Sequence, residues 1–83
     1  MKIDVRYFAS LREQLGTAEV LELAEGLSIG QLRDWLIARS DVHAAALARS
    51  RTVRCAVNKV LSREDALIPD GAEVAFFPPV TGG

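Results

Sequence analysis

Apolar and polar residues alternate at the start of the chain, as they do in a β-strand with one buried face. The apolar positions of this first segment are Ile3, Val5 and Tyr7. Phe8 falls on the opposite face, among polar residues. A short helical segment at 9–15 ends at Gly16, and a second alternating segment follows at 19–23. We therefore predict two strands that pair antiparallel across a modest connection.

A helical pattern follows in residues 27–40. Ser28 and Gln31 have the spacing of a capping box, which marks the start of a helix. Apolar residues then recur at three- and four-residue intervals, at Ile29, Leu32 and Leu36. This spacing predicts a helix over 29–39 that packs one apolar face on a sheet. On the same pattern, the outward-facing side chains are Arg33, Asp34 and Arg39.

A second, shorter helix is predicted over 42–49, with Asp41 as its N-terminal cap. No residue with which His43 could perform chemistry lies near it in sequence, so we interpret His43 as a solvated surface residue.

The remaining strands follow in the last third of the chain. Residues 52–58 alternate again, and their inner face is predicted to hold Val53, Cys55 and Val57. In that setting Cys55 is interpreted as a small core residue. Turns are predicted at Asn58-Lys59 and at Asp70-Gly71, because these residue types tolerate left-handed backbone. A short strand near 60–61 and a last strand at 73–77 complete the pattern.

One amphipathic helix laid across a small mixed sheet is the β-grasp, or ubiquitin-like, arrangement of the α+β class. We predict a sheet of four to five strands in one domain over 1–77, with a flexible extended tail over 78–83. The helix should pack on the sheet through Val5, Val57 and Val74.

The tail itself has an unusual composition. The last eight residues read FFPPVTGG. Pro78 and Pro79 lack an N–H group, so they cannot continue a sheet ladder and should hold the chain extended. Gly82 and Gly83 have no Cβ and can pass through a channel too narrow for other residues. Six extended residues reach up to roughly 20 Å, which is long enough to enter the active site of another protein. The alternative is an ordinary frayed chain end.

Composition narrows the possible functions. The chain has 83 residues and a net charge of −1, and its ten basic residues form no dense cluster, so nucleic-acid binding is not expected. One cysteine and one histidine, far apart in sequence, argue against a disulfide, a metal site or a Cys/His catalytic pair. Met1-Lys2 leads straight into a strand pattern and no apolar run approaches ~20 residues, so we expect a cytoplasmic protein without a leader or membrane span.

Several segments together resemble a known family over nearly the whole chain. They are Tyr7-Phe8-Ala9, Leu11-Arg12-Glu13, Ala56-Val57-Asn58, Asp70-Gly71 and the ending from Glu73 to Gly83. The chain resembles the sulfur-carrier subunits of molybdopterin synthase. The ending is the specific part of the likeness, because the other segments alone would indicate only a β-grasp fold.

The resemblance implies a reaction cycle at the end of the tail. An enzyme similar to ubiquitin-activating enzyme would adenylate the Gly83 carboxylate with ATP, and a sulfur donor would convert it to a thiocarboxylate, a 1-thioglycine. The loaded tail would then enter the large synthase subunit and deliver sulfur to a cyclic pyranopterin monophosphate, which forms the dithiolene. The chain would bind no cofactor itself. It would be a carrier subunit, in an assembly of two small and two large subunits, with the catalytic residues on the large ones.

A carrier that serves two partners in turn needs a shared docking surface. We expect that surface to hold Phe8, Leu61 and Phe77, because the first and last strands of a β-grasp sheet are neighbours. Arg12 and Lys59 are predicted to contribute polar contacts at its rim. The tail residues Pro78, Pro79, Val80, Thr81 and Gly82 are predicted to contact the partner as the tail enters it.

Three other functions remain open from the sequence. The chain could carry sulfur for another pathway, such as thiamine, cysteine or tRNA thiolation. It could be a ubiquitin-like modifier that forms isopeptide bonds through Gly83. It could also be a passive β-grasp interaction module whose tail has no chemistry, and removing Gly83 would then leave its function intact.

Overall fold

The computed structural model describes residues 1–79, so the predictions for Val80, Thr81, Gly82 and Gly83 lie outside the described residues. The elements are β1 (Lys2–Tyr7), α1 (Ser10–Leu15), β2 (Ala18–Glu22), α2 (Ile29–Arg39), α3 (Asp41–Leu47), β3 (Arg54–Val57), β4 (Val60–Ser62) and β5 (Glu73–Phe77). Within residues 1–79, no helix is long and apolar enough to cross a membrane.

The strands form a five-stranded mixed sheet in the order β2-β1-β5-β3-β4. β1 and β5, the first and last strands, lie side by side and run parallel, while the other neighbouring pairs are antiparallel. This sheet, with one main helix, confirms the predicted α+β architecture and the predicted contact between the first and last strands.

The core lies between α2 and one face of the sheet. Ser28 and Gln31 form the predicted capping box: the Gln31 N–H donates to Ser28 Oγ and the Ser28 N–H donates to Gln31 Oε1. Three α2 side chains are fully buried: Ile29, Leu32 and Leu36. Val5 and Val74 are also fully buried, and Val57 packs against the same cluster with partial exposure. The predicted packing of α2 on the sheet is therefore confirmed.

The prediction that Arg33 faces outward from α2 is wrong. Only 3% of this residue is exposed. Its guanidinium donates to four acceptors, which are the carbonyl oxygens of Leu47 (2.9 Å), Ala48 (2.8 Å) and Arg51 (3.0 Å) and the carboxylate of Glu64 (3.0 Å). Carbonyls left without a partner at a helix C-terminus need donors. Arg33 supplies these donors for α3 and the loop that follows it.

Gly30 has a structural reason to stand in the first turn of α2. Its N–H donates to the carbonyl oxygen of Glu64 at 2.8 Å. A Cβ at this position would lie 3.3 Å from that same oxygen, closer than side chains normally approach backbone. The absence of a side chain thus lets the loop before β5 lie directly on the start of α2.

Two predicted boundaries are wrong. Ser40, and not Asp41, caps α3: the His43 N–H donates to Ser40 Oγ at 3.1 Å, and the helix ends at Leu47. The strand predicted over 52–58 is shorter, because only Arg54–Val57 pair with neighbours. Asn58 and Lys59 instead form the predicted turn, with φ values of 49° and 68°.

The interpretation of His43 as a solvated residue is also wrong. Only 14% of its side chain is exposed, and its Nε2 lies 2.9 Å from the Glu19 carboxylate. Nδ1 lies 2.6 Å from Ser40 Oγ. The Tyr7 hydroxyl donates to the same carboxylate at 2.8 Å, and Arg39 pairs with it from α2. This cluster joins β1, β2, α2 and α3 at one edge of the core.

Replacing Glu19 with Gln should destabilise the protein at neutral pH by about 1–2 kcal/mol, because charged hydrogen bonds are lost. Burial alone raises the pKa of the Glu19 carboxyl, but hydrogen bonds from His43 and Tyr7 and the charge of Arg39 outweigh it, so the pKa is lowered. A lowered pKa means that this contribution is present above the unfolded pKa of about 4.3 and is lost as the pH falls through the folded pKa. Urea unfolding of both proteins between pH 7 and pH 3 should therefore show a gap that closes in acid.

Glu13→Gln is the matched control for this measurement, because Glu13 is an exposed glutamate on α1. It should leave the free energy of unfolding nearly unchanged at every pH. A gap for Glu19→Gln that stays constant down to pH 3 would contradict the assignment of the effect to the ionised carboxylate.

Candidate partner-docking site

An open groove of about 790 Å³ crosses the sheet face that points away from α2. Its apolar lining consists of Phe8, Ala56, Leu61, Ala75 and Phe77. Ala9, Pro78 and Pro79 line it where β1 and β5 end, and Lys59 and Glu73 line it where β5 begins. We call this surface the sheet groove. It is elongated along β5 and apolar in the middle.

Small side chains form the floor of the sheet groove. Ala56 on β3 lies opposite Ala75 on β5 and also opposite Leu61 on β4. Both alanines are nearly covered, at 8% and 6% exposure, so the larger groups beside them stand above the floor. Neither alanine is among the residues that the sequence predicts for the docking surface. The available signal was that both occupy the outward positions of their strands, where an exposed sheet face normally carries polar residues.

The aromatic end of the groove is set by the paired ends of β1 and β5. The Phe8 N–H donates to the carbonyl oxygen of Phe76 at 3.1 Å, which continues the pairing one residue past β1. Phe76 is fully buried, whereas Phe8 is 44% exposed and Phe77 is half-buried. Ala9 then turns the chain at φ 54°, a left-handed conformation that is uncommon for residues other than glycine. The turn starts α1 directly after Phe8.

The opposite end of the groove is polar and held by two hydrogen bonds between Asn58 and Glu73. The Asn58 N–H donates to the carbonyl oxygen of Glu73 at 2.8 Å, and the Glu73 N–H donates to Asn58 Oδ1 at 3.0 Å. The Glu73 carboxylate lies 3.3 Å from Arg6 Nε, and Arg6 also contacts Asp4 at 3.1 Å. Lys59 follows Asn58 in the turn and lines the groove from this side.

The fold brings together most of the residues that the sequence predicted for the docking surface. Those that line the sheet groove are Phe8, Lys59, Leu61, Phe77, Pro78 and Pro79. Arg12 is exposed on α1 and is not among the residues that line the groove, so its predicted partner contact stays a prediction. The predicted roles of Val80, Thr81, Gly82 and Gly83 concern residues outside the described range.

The groove is suited to binding a partner, and its lining offers little for catalysis. Among residues 1–79, the lining provides one carboxylate and one ammonium group but no thiol, hydroxyl or imidazole. Cys55 is 4% exposed on the core side of β3, as predicted, and its Sγ contacts the carbonyl oxygen of Ser62 at 3.3 Å. Burial raises the pKa of the Cys55 thiol, which keeps it protonated and unreactive.

Comparison with known proteins identifies similar sequences over the full chain. The model of the ThiS family matches residues 5–83. A protein of Escherichia coli named molybdopterin synthase sulfur carrier subunit is 43% identical over 98% of this chain and 99% of its own length. Proteins with the same name from Haemophilus influenzae and Mycobacterium tuberculosis are 33% and 32% identical over comparable lengths.

Solved structures share the fold. A putative molybdopterin converting factor subunit 1 from Pyrococcus furiosus superposes with a TM-score of 0.79 at 30% identity, covering 96% of this chain and 99% of that one. SAMP1 from Haloferax volcanii gives 0.78 at 23% identity over the full length of both chains, a likeness of fold alone. A complex of subunits 1 and 2 of the molybdopterin-converting factor from Helicobacter pylori contains a chain with a TM-score of 0.66 at 21% identity, covering both chains completely.

Proposed function

Since this chain belongs to the ThiS family, we propose that it is the sulfur-carrier subunit of a molybdopterin synthase. The observation that carries the proposal is the 43% identity to the Escherichia coli sulfur carrier subunit over 98% of this chain and 99% of that one. The ThiS family model matches residues 5–83, so the likeness includes the tail as well as the folded body. The proposal therefore concerns the chain as a whole and not an isolated domain.

The reacting group in this proposal is the carboxylate of Gly83. A free carboxylate is a poor electrophile, because its negative charge resists attack by a nucleophile. Transfer of AMP from ATP to this carboxylate, with release of pyrophosphate, gives an acyl-adenylate with a good leaving group. Sulfide-level sulfur from a donor then attacks the acyl carbon and displaces AMP, so the terminus becomes a thiocarboxylate. Gly82 and Gly83 leave no side chain beside the reacting carbon.

The thiocarboxylate sulfur is the nucleophile of the second half of the cycle. It attacks a carbon of the cyclic pyranopterin monophosphate and breaks a C–O bond of that carbon, whose oxygen leaves as phosphate or water. Water then hydrolyses the resulting thioester, which leaves a thiolate on the pterin and regenerates the Gly83 carboxylate. Two such transfers supply the two sulfur atoms of the dithiolene. Among the described residues, the titratable groups that line the sheet groove are Glu73 and Lys59, at the end farthest from Pro78, so we assign the acid–base chemistry to the large subunit.

The sheet groove is the proposed docking surface for the large subunit. Its apolar lining and the exposure of Phe8 (44%) and Leu61 (68%) are typical of an interface. Pro78 and Pro79 line the same groove, so a partner seated there would also contact the start of the tail. The Helicobacter pylori complex of subunits 1 and 2 supports a second subunit as the partner. We extend this to an assembly of two small and two large subunits.

The adenylating enzyme is proposed to use the same groove. Loading and delivery are separate steps that both act on the Gly83 carboxylate, so the two partners never need to hold the chain at the same time. A shared docking surface would make release from one partner a condition for binding to the other.

The test is reconstitution with purified proteins from the same organism. The chain is incubated with ATP, the adenylating enzyme and a sulfur donor, and intact-mass spectrometry follows the replacement of one terminal oxygen by sulfur. The loaded chain is then mixed with the large subunit and the pterin precursor. Thiocarboxylate formation followed by dithiolene product is expected. A thiocarboxylate that never yields dithiolene would favour sulfur delivery to another acceptor, and no loading at all would refute the carrier role.

Leu61→Asp should weaken binding to the large subunit by at least about 2 kcal/mol, roughly 30-fold in Kd, because an apolar contact of the proposed interface is replaced by a charge. Leu61 is 68% exposed on an edge strand, so the fold should be retained. Phe77→Asp should act in the same direction. Isothermal titration calorimetry measures both, with circular dichroism as a check of folding.

Val20→Asp is the matched control. Val20 is an exposed apolar residue, at 60%, on the edge strand β2, and it does not line the groove. It should leave the affinity unchanged. Equal weakening by Val20→Asp and Leu61→Asp, or no weakening by Leu61→Asp, would contradict the groove as the docking surface.

A further inference from the structure

We propose that Lys59 forms an ion pair with a carboxylate of the large subunit and so anchors the end of the sheet groove farthest from the tail. This inference rests on the proposed function, because it takes the large subunit as the occupant of the groove. It adds the chemistry of one contact on the partner and a role for that contact in orienting the tail.

The charged residues that line the groove differ in whether they already have an ion-pair partner. The lining contains one acidic residue, Glu73, whose carboxylate is paired with Arg6 on the neighbouring strand at 3.3 Å. None of the ion pairs formed within residues 1–79 includes Lys59. The acidic group of the groove thus already has a cationic neighbour on its own sheet, Arg6, which it shares with Asp4, whereas the ammonium group of Lys59 has no ion-pair partner within residues 1–79 and is available to a binding protein.

The backbone at Lys59 is held in place, which makes a specific contact possible. Asn58 and Lys59 both have positive φ, at 49° and 68°, and form the tight turn between β3 and β4. Two hydrogen bonds between Asn58 and Glu73, of 2.8 and 3.0 Å, tie this turn to the start of β5. The side chain therefore projects from an ordered turn and not from a mobile loop.

Lys59 lies far enough from Phe77 along the sheet for a contact there to fix the orientation of a bound partner. Glu73, beside the turn, is the first residue of β5, and Phe77 is the last. Four residue steps in a strand separate them by roughly 13 Å. An apolar contact at Phe77 alone would leave a partner free to rotate about that point. A second, charged contact at Lys59 fixes the orientation of the body and hence the direction in which the tail leaves at Pro78.

The same observations define the partner group. A single ammonium beside an already paired carboxylate fits one Asp or Glu side chain at the rim of an apolar surface. A polyanion such as nucleic acid would need several cations, and the groove lining provides one. The partner segment is therefore apolar with one carboxylate.

Lys59→Met tests the inference, because it keeps the aliphatic stem and removes the charge. Titration calorimetry with the large subunit should show affinity lowered by about fivefold at low salt, with the difference shrinking at ~1 M salt, where the Debye length is about 3 Å. Lys59→Glu should lower the affinity by at least about tenfold at low salt, because like charges would then face each other. Lys2→Met is the matched control. Lys2 is the other lysine of the chain and lies outside the groove. Its replacement should leave the affinity for the large subunit unchanged.

The outcomes separate this inference from the function on which it depends. Wild-type binding that Lys59→Met leaves unchanged at low salt would overturn the ion pair while the carrier role stands. Equal losses for Lys59→Met and Lys2→Met would also overturn it, since a general effect of net charge would explain them. If the wild-type chain does not bind the large subunit and cannot be loaded with sulfur, the proposed function has failed, and the ion pair fails with it.

Discussion

Deleting Gly83 is expected to lower sulfur transfer to the pterin precursor by at least about 100-fold, because a displacement of only ~1 Å can cost that much in a positioned reaction. The deletion moves the new carboxylate back by up to ~3.5 Å relative to the docked body. Affinity for the large subunit should persist, because the sheet groove is untouched. The measurement is dithiolene formation by the chemically loaded variant, with calorimetry on the same sample for binding.

Thr81→Ser is the matched control for this deletion, because it changes a tail residue while keeping the length of the tail and its terminal glycine. It should retain most of the activity. Adding one residue after Gly83 should fail as the deletion does, because the carboxylate is again displaced. Full activity of the Gly83 deletion would refute the carrier mechanism proposed above.

Replacing Arg33 with Met is expected to lower the free energy of unfolding by about 2–4 kcal/mol, because it removes a buried guanidinium that donates to four acceptors. The variant leaves three carbonyl oxygens without their donor, at Leu47, Ala48 and Arg51. The bond to the Leu47 carbonyl oxygen is buried, so its loss is costly because no water replaces it. Urea unfolding followed by circular dichroism measures the effect.

Two further variants define what the Arg33 result means. Arg12→Met removes an exposed arginine from α1 and should change stability by less than about 0.5 kcal/mol. Arg33→Lys retains the positive charge, but an ammonium group cannot donate to the four acceptors of the planar guanidinium. This variant should therefore recover only part of the lost free energy of unfolding. A loss below about 1 kcal/mol for Arg33→Met would show that the carbonyls find other donors.

Much of the docking surface could be predicted from the sequence because strand periodicity assigns each residue to one face of the sheet. Phe8 and Phe77 were placed on the outer face by counting from buried neighbours, and the structure finds both in the sheet groove. The counting could not reveal that Ala56 and Ala75 form the floor between them. The position of the two alanines depends on the pairing of β3 with β5 and on the register of that pair. The local pattern of apolar and polar residues does not predict strand pairing or register.

The candidate reactive end is a different case. Gly82 and Gly83 were chosen from the sequence ending and from a family resemblance, and the match of the ThiS family to residues 5–83 now supports that resemblance. Their position lies outside the described residues, so the role of the terminal carboxylate stays a prediction that the deletion of Gly83 tests.

Helices and turns that depend only on neighbouring residues can be predicted from the sequence alone. The helix at Ile29–Arg39 follows from the capping box at Ser28 and from apolar spacing, and the turn at Asn58 follows from a residue that tolerates positive φ. The contacts of buried polar side chains depend on the tertiary structure and could not be predicted from the sequence. Arg33 and His43 read as surface residues because their partners, Leu47 and Glu19, lie 14 and 24 positions away in the chain. A polar side chain is buried when distant backbone or carboxylate groups need its hydrogen bonds, and local periodicity carries no information about those groups.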